Sequence, residues 1–109
     1  MRTAKNYIQI KTTFTNMVGA IKLSELILEA GLVACGQISE IHSIYNFEGK
    51  THNHLEFLLA MKTREELYDE CEAFIKLHHP YKVPQIIAVK IEQGSADYFD
   101  WITQNTKAD

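Results

Sequence analysis

Apolar and polar residues alternate along Tyr7-Ile8-Gln9-Ile10-Lys11, the period of a strand with one face buried. The period then changes. Thr15 or Asn16 can accept from the unpaired N–H groups of a helix start, and Leu23, Leu26, Ile27 and Ala30 recur at the spacing of one apolar stripe. Gly31 stands where that helix can end in a left-handed conformation. Alternation returns from Val33 to Phe47, with a slip of phase near Ser39 to Ile41 that predicts a bulge or a change of environment. Glu48-Gly49-Lys50-Thr51 carries the turn signal. Leu55, Phe57, Leu59 and Met61 then mark the buried face of a second long strand, so the two strands predict a β-hairpin.

Thr63 and Glu66 have the S/T-x-x-E spacing of a capping box, and Leu67, Cys71, Phe74 and Ile75 supply the stripe of the helix that follows. Pro80 lacks an N–H and disfavours helical dihedrals at His79, so this helix must stop at the histidines. Ile86 to Ile91 reads as a short strand, and Ser95 caps a last helix carrying Tyr98, Trp101 and Ile102 on one side. The order βαββαβ plus a terminal helix predicts an α+β, ferredoxin-like fold: one antiparallel sheet with helices on one face. Strands of about twelve residues exceed the usual five or six, so the central hairpin is expected to extend beyond the helices. A bare sheet face and an exposed edge invite further copies, and a homo-oligomer is expected.

With 109 residues the chain fits a single domain over residues 1–109, its ordered core at about 7–103 and its tail from Gln104 frayed. The net charge of -3, without a block of like charges, argues against nucleic acid and against an anionic membrane surface. Met1-Arg2-Thr3-Ala4-Lys5-Asn6 lacks the apolar run of a signal peptide, so the expectation is a soluble, cytoplasmic protein. Cys35 and Cys71 show no paired spacing and read as reduced thiols. The absence of GxSxG, Walker A and HExxH sequences points to a protein that is not an enzyme.

The candidate chemistry lies in two stretches. His78 and His79 sit at the helix-to-strand junction, where an imidazole can serve as a metal ligand or an interface contact. Adjacent rings diverge by about 100° on a helix, so one ion cannot easily take both. His52 and His54 lie two apart on a strand and point to one face, a chelating geometry. Pivoting the hairpin about Gly49-Lys50 sets Phe47 opposite His52, Tyr45 opposite His54 and Ser43 opposite Glu56. The same pairing lets Cys35, Tyr45, Glu56 and Lys62 share a face, with Lys62 the expected partner of a buried Glu56 carboxylate. With Lys50 and Tyr81 this set reads either as a structural ion pair at an interface or as a pocket for a small anionic ligand.

Five ordered motifs, over about Ile8 to Ile102, resemble the divalent-cation tolerance family CutA: Val33-Ala34-Cys35, Ser43 to Lys50, Glu56 with Met61-Lys62-Thr63, His79 to Ile87, and Asp97 to Ile102. The resemblance implies a homotrimer, similar in build to PII-type signalling proteins, linked to copper and other divalent cations, with no organic cofactor. It makes His79 the preferred metal candidate and adds Trp101 to the ligand-binding set. Phe47 stands where the family usually has Trp, and Lys11 where some copper-binding members have a cysteine. The leading expectation is therefore a trimeric, copper-binding protein. Its alternatives are a PII-like regulator with an anionic metabolite in intersubunit clefts and a structural assembly module.

Overall fold

A computed structural model describes residues 6–108, so the N-terminal stretch Met1 to Lys5 lies outside the described residues. In chain order the elements are β1 (Tyr7–Phe14), α1 (Met17–Glu29), β2 (Cys35–Phe47), β3 (Lys50–Arg64), a 3₁₀ turn (Glu65–Leu67), α2 (Tyr68–His78), β4 (Ile87–Ile91) and α3 (Ala96–Gln104). The strands form one antiparallel sheet in the order β2-β3-β1-β4. The βαββαβ order read from the periodicity is the observed one.

Strand residues alternate between two faces, so parity assigns each side chain. Ile8, Ile10 and Phe14 of β1 join Leu59 and Met61 of β3 on the face covered by the helices, where Ala20, Leu23 and Ile27 of α1 and Cys71 and Ile75 of α2 complete the core. Asn16 caps α1 by accepting from the Gly19 N–H at 2.8 Å, and Gly31 ends it at φ 74°. Pro80 has its expected effect: α2 stops at His78, and His79 turns extended at φ -82°, ψ 136°.

The capping box does not form. β3 runs on to Arg64, so Thr63 still points into the core and its hydroxyl donates to the Leu32 carbonyl at 2.6 Å. Glu66 instead meets the Arg64 guanidinium at 3.3 Å. Nor is there a bulge near Ser39 to Ile41, since β2 and β3 pair without interruption from Cys35↔Lys62 to Phe47↔Lys50. The phase slips because the environment changes: Ile38 packs under the helices, and beyond the helical layer Ile41, Tyr45 and Phe47 turn to the other face.

That second face is bare only in part. α3 lies across one end of it, with Phe99 stacked on Tyr7 at 4.4 Å and the Tyr7 and Thr103 hydroxyls 2.6 Å apart. The tail is held beyond α3 as well: Lys107 N–H donates to Gly31 O at 2.7 Å, and Arg64 reaches Thr106 Oγ1 at 3.0 Å. Fraying from Gln104 is therefore not observed as far as Lys107. At the opposite end the hairpin continues alone, and its fifteen-residue strand spans about 50 Å at the usual rise per residue. That length accounts for the long axis of the chain, whose extents are 50 × 26 × 21 Å.

Gly36 of β2 lies close against Ser24 of α1. A Cβ there would lie 2.1 Å from Ser24 Oγ and 3.2 Å from both Ser24 Cβ and Leu59 Cδ1. A Gly36→Ala variant is expected to lose about 1–3 kcal/mol, the usual range for an overpacked core, read as a lower urea midpoint.

Candidate functional site

Glu48 and Gly49 both have positive φ, 52° and 77°, as a two-residue type I′ hairpin turn requires. The turn pivots between them, one residue earlier than the sequence implied, so every cross-strand pair shifts by two. Tyr45 faces His52, Ser43 faces His54 and Ile41 faces Glu56. A shift of two preserves the faces. Tyr45, His52, His54 and Glu56 do share one side, together with Thr13 of β1.

A cleft of about 620 Å³ opens over these residues, between the sheet and the Tyr81–Gln85 loop, with Thr13, Tyr45, Phe47, His54 and Glu56 in its lining. The junction histidine sets that loop in place. His79 Nε2 donates to the Thr13 carbonyl at 2.8 Å, and its Nδ1 accepts from the Tyr81 N–H at 3.1 Å. Its ring stacks on Phe14 at 4.4 Å. Tyr81 Oη then donates to Glu56 Oε2 at 2.6 Å. One short relay thus joins β1 to β3 through His79 and Tyr81.

Both nitrogens of His79 are committed, which removes it as a metal ligand in this arrangement. Burial lowers its pKa, against the opposing pull of the Thr13 carbonyl and the Glu56 charge. Burial, with the hydrogen bond and charge of Glu56, raises the pKa of Tyr81 and keeps its proton in place. His78 stays exposed on the helix with its ring against Phe74 at 4.4 Å, outside the cleft.

His52 and His54 share a face as expected but not a task. His52 stacks on Tyr45 at 5.2 Å and is not part of the cleft lining. His54 Nδ1 donates to the Leu55 carbonyl at 3.0 Å, which leaves Nε2 to accept from Tyr45 Oη at 2.7 Å. Among the described residues, no group of three or more His, Cys, Asp or Glu side chains is placed to hold a metal ion.

The seven-residue ligand set divides. Glu56 is 4% exposed and takes its hydrogen bond from Tyr81, not from Lys62. Lys50 and Lys62 each stand six residues from Glu56 along β3, about 20 Å away, too far for an ion pair and for a shared anion pocket. Lys62 Nζ donates to Gln37 Oε1 at 2.5 Å and lies 6.0 Å from the Tyr98 ring. Cys35, opposite Lys62, has its Sγ 3.8 Å from Tyr98 Oη, and Tyr98 stacks on Trp101 at 5.6 Å. Cys35, Lys62 and Trp101 therefore belong to a separate cluster under α3. Cys71 is fully buried, and burial pushes its thiol pKa up to about 12, so it is an inert core residue.

Tyr98 and Thr13 were not among the sequence candidates. The three-residue spacing of Tyr98 and Trp101 on one helix was a usable signal for the first. Thr13 acts through its backbone carbonyl, which no side-chain pattern reveals.

The sheet order, the projecting hairpin and the acid-floored cleft define a ferredoxin-like α+β protein with a ligand-sized depression on its open face. Residues 8–105 match the family model described as CutA1 divalent ion tolerance protein. The chain belongs to that family. It is 36% identical over 100 residues to the divalent-cation tolerance protein CutA of Pyrococcus horikoshii, covering 92% of this chain and 98% of that one. It is likewise 36% identical to the chloroplastic Protein CutA 1 of Oryza sativa, but spans 57% of that longer protein. The solved structure of the periplasmic divalent cation tolerance protein CutA from Archaeoglobus fulgidus superposes with a TM-score of 0.89 at 33% identity, covering 93% of this chain and 99% of that one.

Proposed function

We propose that the chain is a homotrimeric, non-catalytic protein of the cytoplasm that serves divalent-cation tolerance by binding cations, copper first among them, in the cleft at Glu56. The observation that carries this reading is the state of the Glu56 carboxylate. It is nearly buried, its Oε2 accepts from Tyr81, and no other hydrogen bond reaches it among the described residues. A carboxylate withdrawn from water with one neutral donor is under-compensated, and a cation is the partner it lacks. Lys82, the positive side chain in the lining, is exposed and faces Glu48 at 3.7 Å.

Glu56 Oε1 and His54 Nε2 are two donors of the kind that suit copper or zinc, short of the four of a tetrahedral site. His54 becomes available once Tyr45 Oη turns away, and solvent or a second copy completes the shell. The trimer draws support from the face that carries the cleft, where Ile87, Val89, Tyr45 and Trp101 are each 38–46% exposed. The cleft volume, larger than any bare ion needs, favours a second reading as a regulatory trimer with a small-molecule ligand.

Titration calorimetry with copper is expected to show saturable binding to the wild type and roughly tenfold or greater weakening in Glu56→Gln. Equal affinity in both proteins would remove Glu56 from the site. Light scattering that returns a monomer mass at micromolar concentration would refute the trimer.

A further inference from the structure

The cleft has a hydrogen-bond polarity, and it follows from where each proton must be. His54 Nδ1 faces a carbonyl, so it carries the ring's proton and Nε2 is the acceptor. Tyr45 Oη consequently donates to His54 and turns its lone pairs elsewhere. Tyr81 Oη spends its proton on Glu56 Oε2. Glu56 Oε1 takes no hydrogen bond from any described residue, and Thr12 Oγ1 is the buried side-chain oxygen left unpartnered, so Oε1 is open to the cleft. Tyr45, His54 and Tyr81 have thus spent their protons, and around Glu56 they leave acceptor atoms and one negative charge facing the cleft.

From this we infer that the cleft is a site for a small organic ammonium ion, a primary amine in its protonated form on a compact apolar group. The inference rests on the reading of the Glu56 cleft as a cation site and names the class of cation. An ammonium group brings three donors and no acceptor, the complement of Glu56 Oε1 and Tyr45 Oη. Tyr45, Phe47 and Tyr81 bring aromatic rings into the same lining, and a cation is attracted to such faces. The volume of about 620 Å³ lies within the range of organic-ligand pockets. A metal ion must break the Tyr45–His54 hydrogen bond to reach His54 Nε2, whereas an ammonium ion can meet Glu56 with that bond in place.

The test is calorimetry and tyrosine-ring NMR on the whole protein with phenethylammonium chloride, against 2-phenylethanol and copper chloride as comparison probes. Phenethylammonium is expected to bind saturably and to shift the Tyr45 and Tyr81 ring signals, while the neutral alcohol of the same shape does neither. Glu56→Gln is expected to weaken the amine by roughly tenfold or more, as for a lost charge-assisted hydrogen bond. Because the alcohol control uses wild-type protein, the comparison holds even if the variant folds poorly. Copper binding that depends on Glu56, together with no saturable amine binding, overturns the ammonium assignment and leaves the cation site standing. Failure of both probes removes the cation site itself. Equal affinity for amine and alcohol also overturns the assignment, since it shows a merely apolar cleft.

Discussion

Replacing His79 with alanine is expected to lower stability by about 3 kcal/mol and the unfolding midpoint by roughly 13 °C, measured by thermal denaturation at fixed protein concentration. The ring satisfies a strand carbonyl, Thr13 O, and a loop amide, Tyr81 N–H, and it stacks on Phe14 inside the core. Truncation leaves both backbone groups without their partner, and unsatisfied buried polar groups cost about 1–3 kcal/mol each. The pH dependence follows from the same contacts. Burial lowers the ring's folded pKa below the ordinary value of 6.5, so the fold prefers neutral His79. Its contribution is fully present above pH 6.5 and is lost as the pH falls from there through the lowered folded value, because the unfolded chain takes up the proton first. His79→Ala should remove that part of the acid slope. An unchanged slope in the variant would show that other groups set it.

The second large effect concerns Tyr81 and Glu56. Tyr81→Phe strips the carboxylate of its hydrogen bond at 2.6 Å while leaving it buried, and a loss of about 2 kcal/mol is expected. In a Glu56→Gln background the same substitution should cost less, because a neutral amide tolerates the missing donor better than a charge does. The difference between the two costs, about 1 kcal/mol or more, is the coupling that a double-mutant cycle in urea reads out. Identical costs in both backgrounds would mean that the phenol acts by packing alone.

The elements of this fold were legible in the sequence because each carries its own local signal. Alternation gave β1, β2 and β3, apolar stripes gave α1 and α2, and Asn16, Pro80 and Ser95 marked ends that the structure retains. The capping box misled because Thr63 and Glu66 satisfy a spacing rule while Thr63 still lies within a strand. The site was harder to read, for three physical reasons. Side-chain identity does not say which nitrogen of His79 is spent on the backbone. Opposite charges on one face, Glu56 and Lys62, read as a pair until distance along the strand separates them. The Tyr81–Gln85 loop places its phenol over the sheet through tertiary contacts with no periodicity of their own.

The hairpin's unbroken ladder has a further consequence for how its tip can vary. The rows that build the cleft, Tyr45↔His52, Ser43↔His54 and Ile41↔Glu56, are counted inward from a turn of two residues. Adding or removing one full rung at the tip, a residue from each strand, leaves those rows opposite one another and their sides unchanged. A single-residue insertion in one strand instead turns every later side chain in that strand to the other face, taking Glu56 away from Tyr81. The arm can therefore change length in matched pairs while keeping its site, and an odd change in one strand dismantles it.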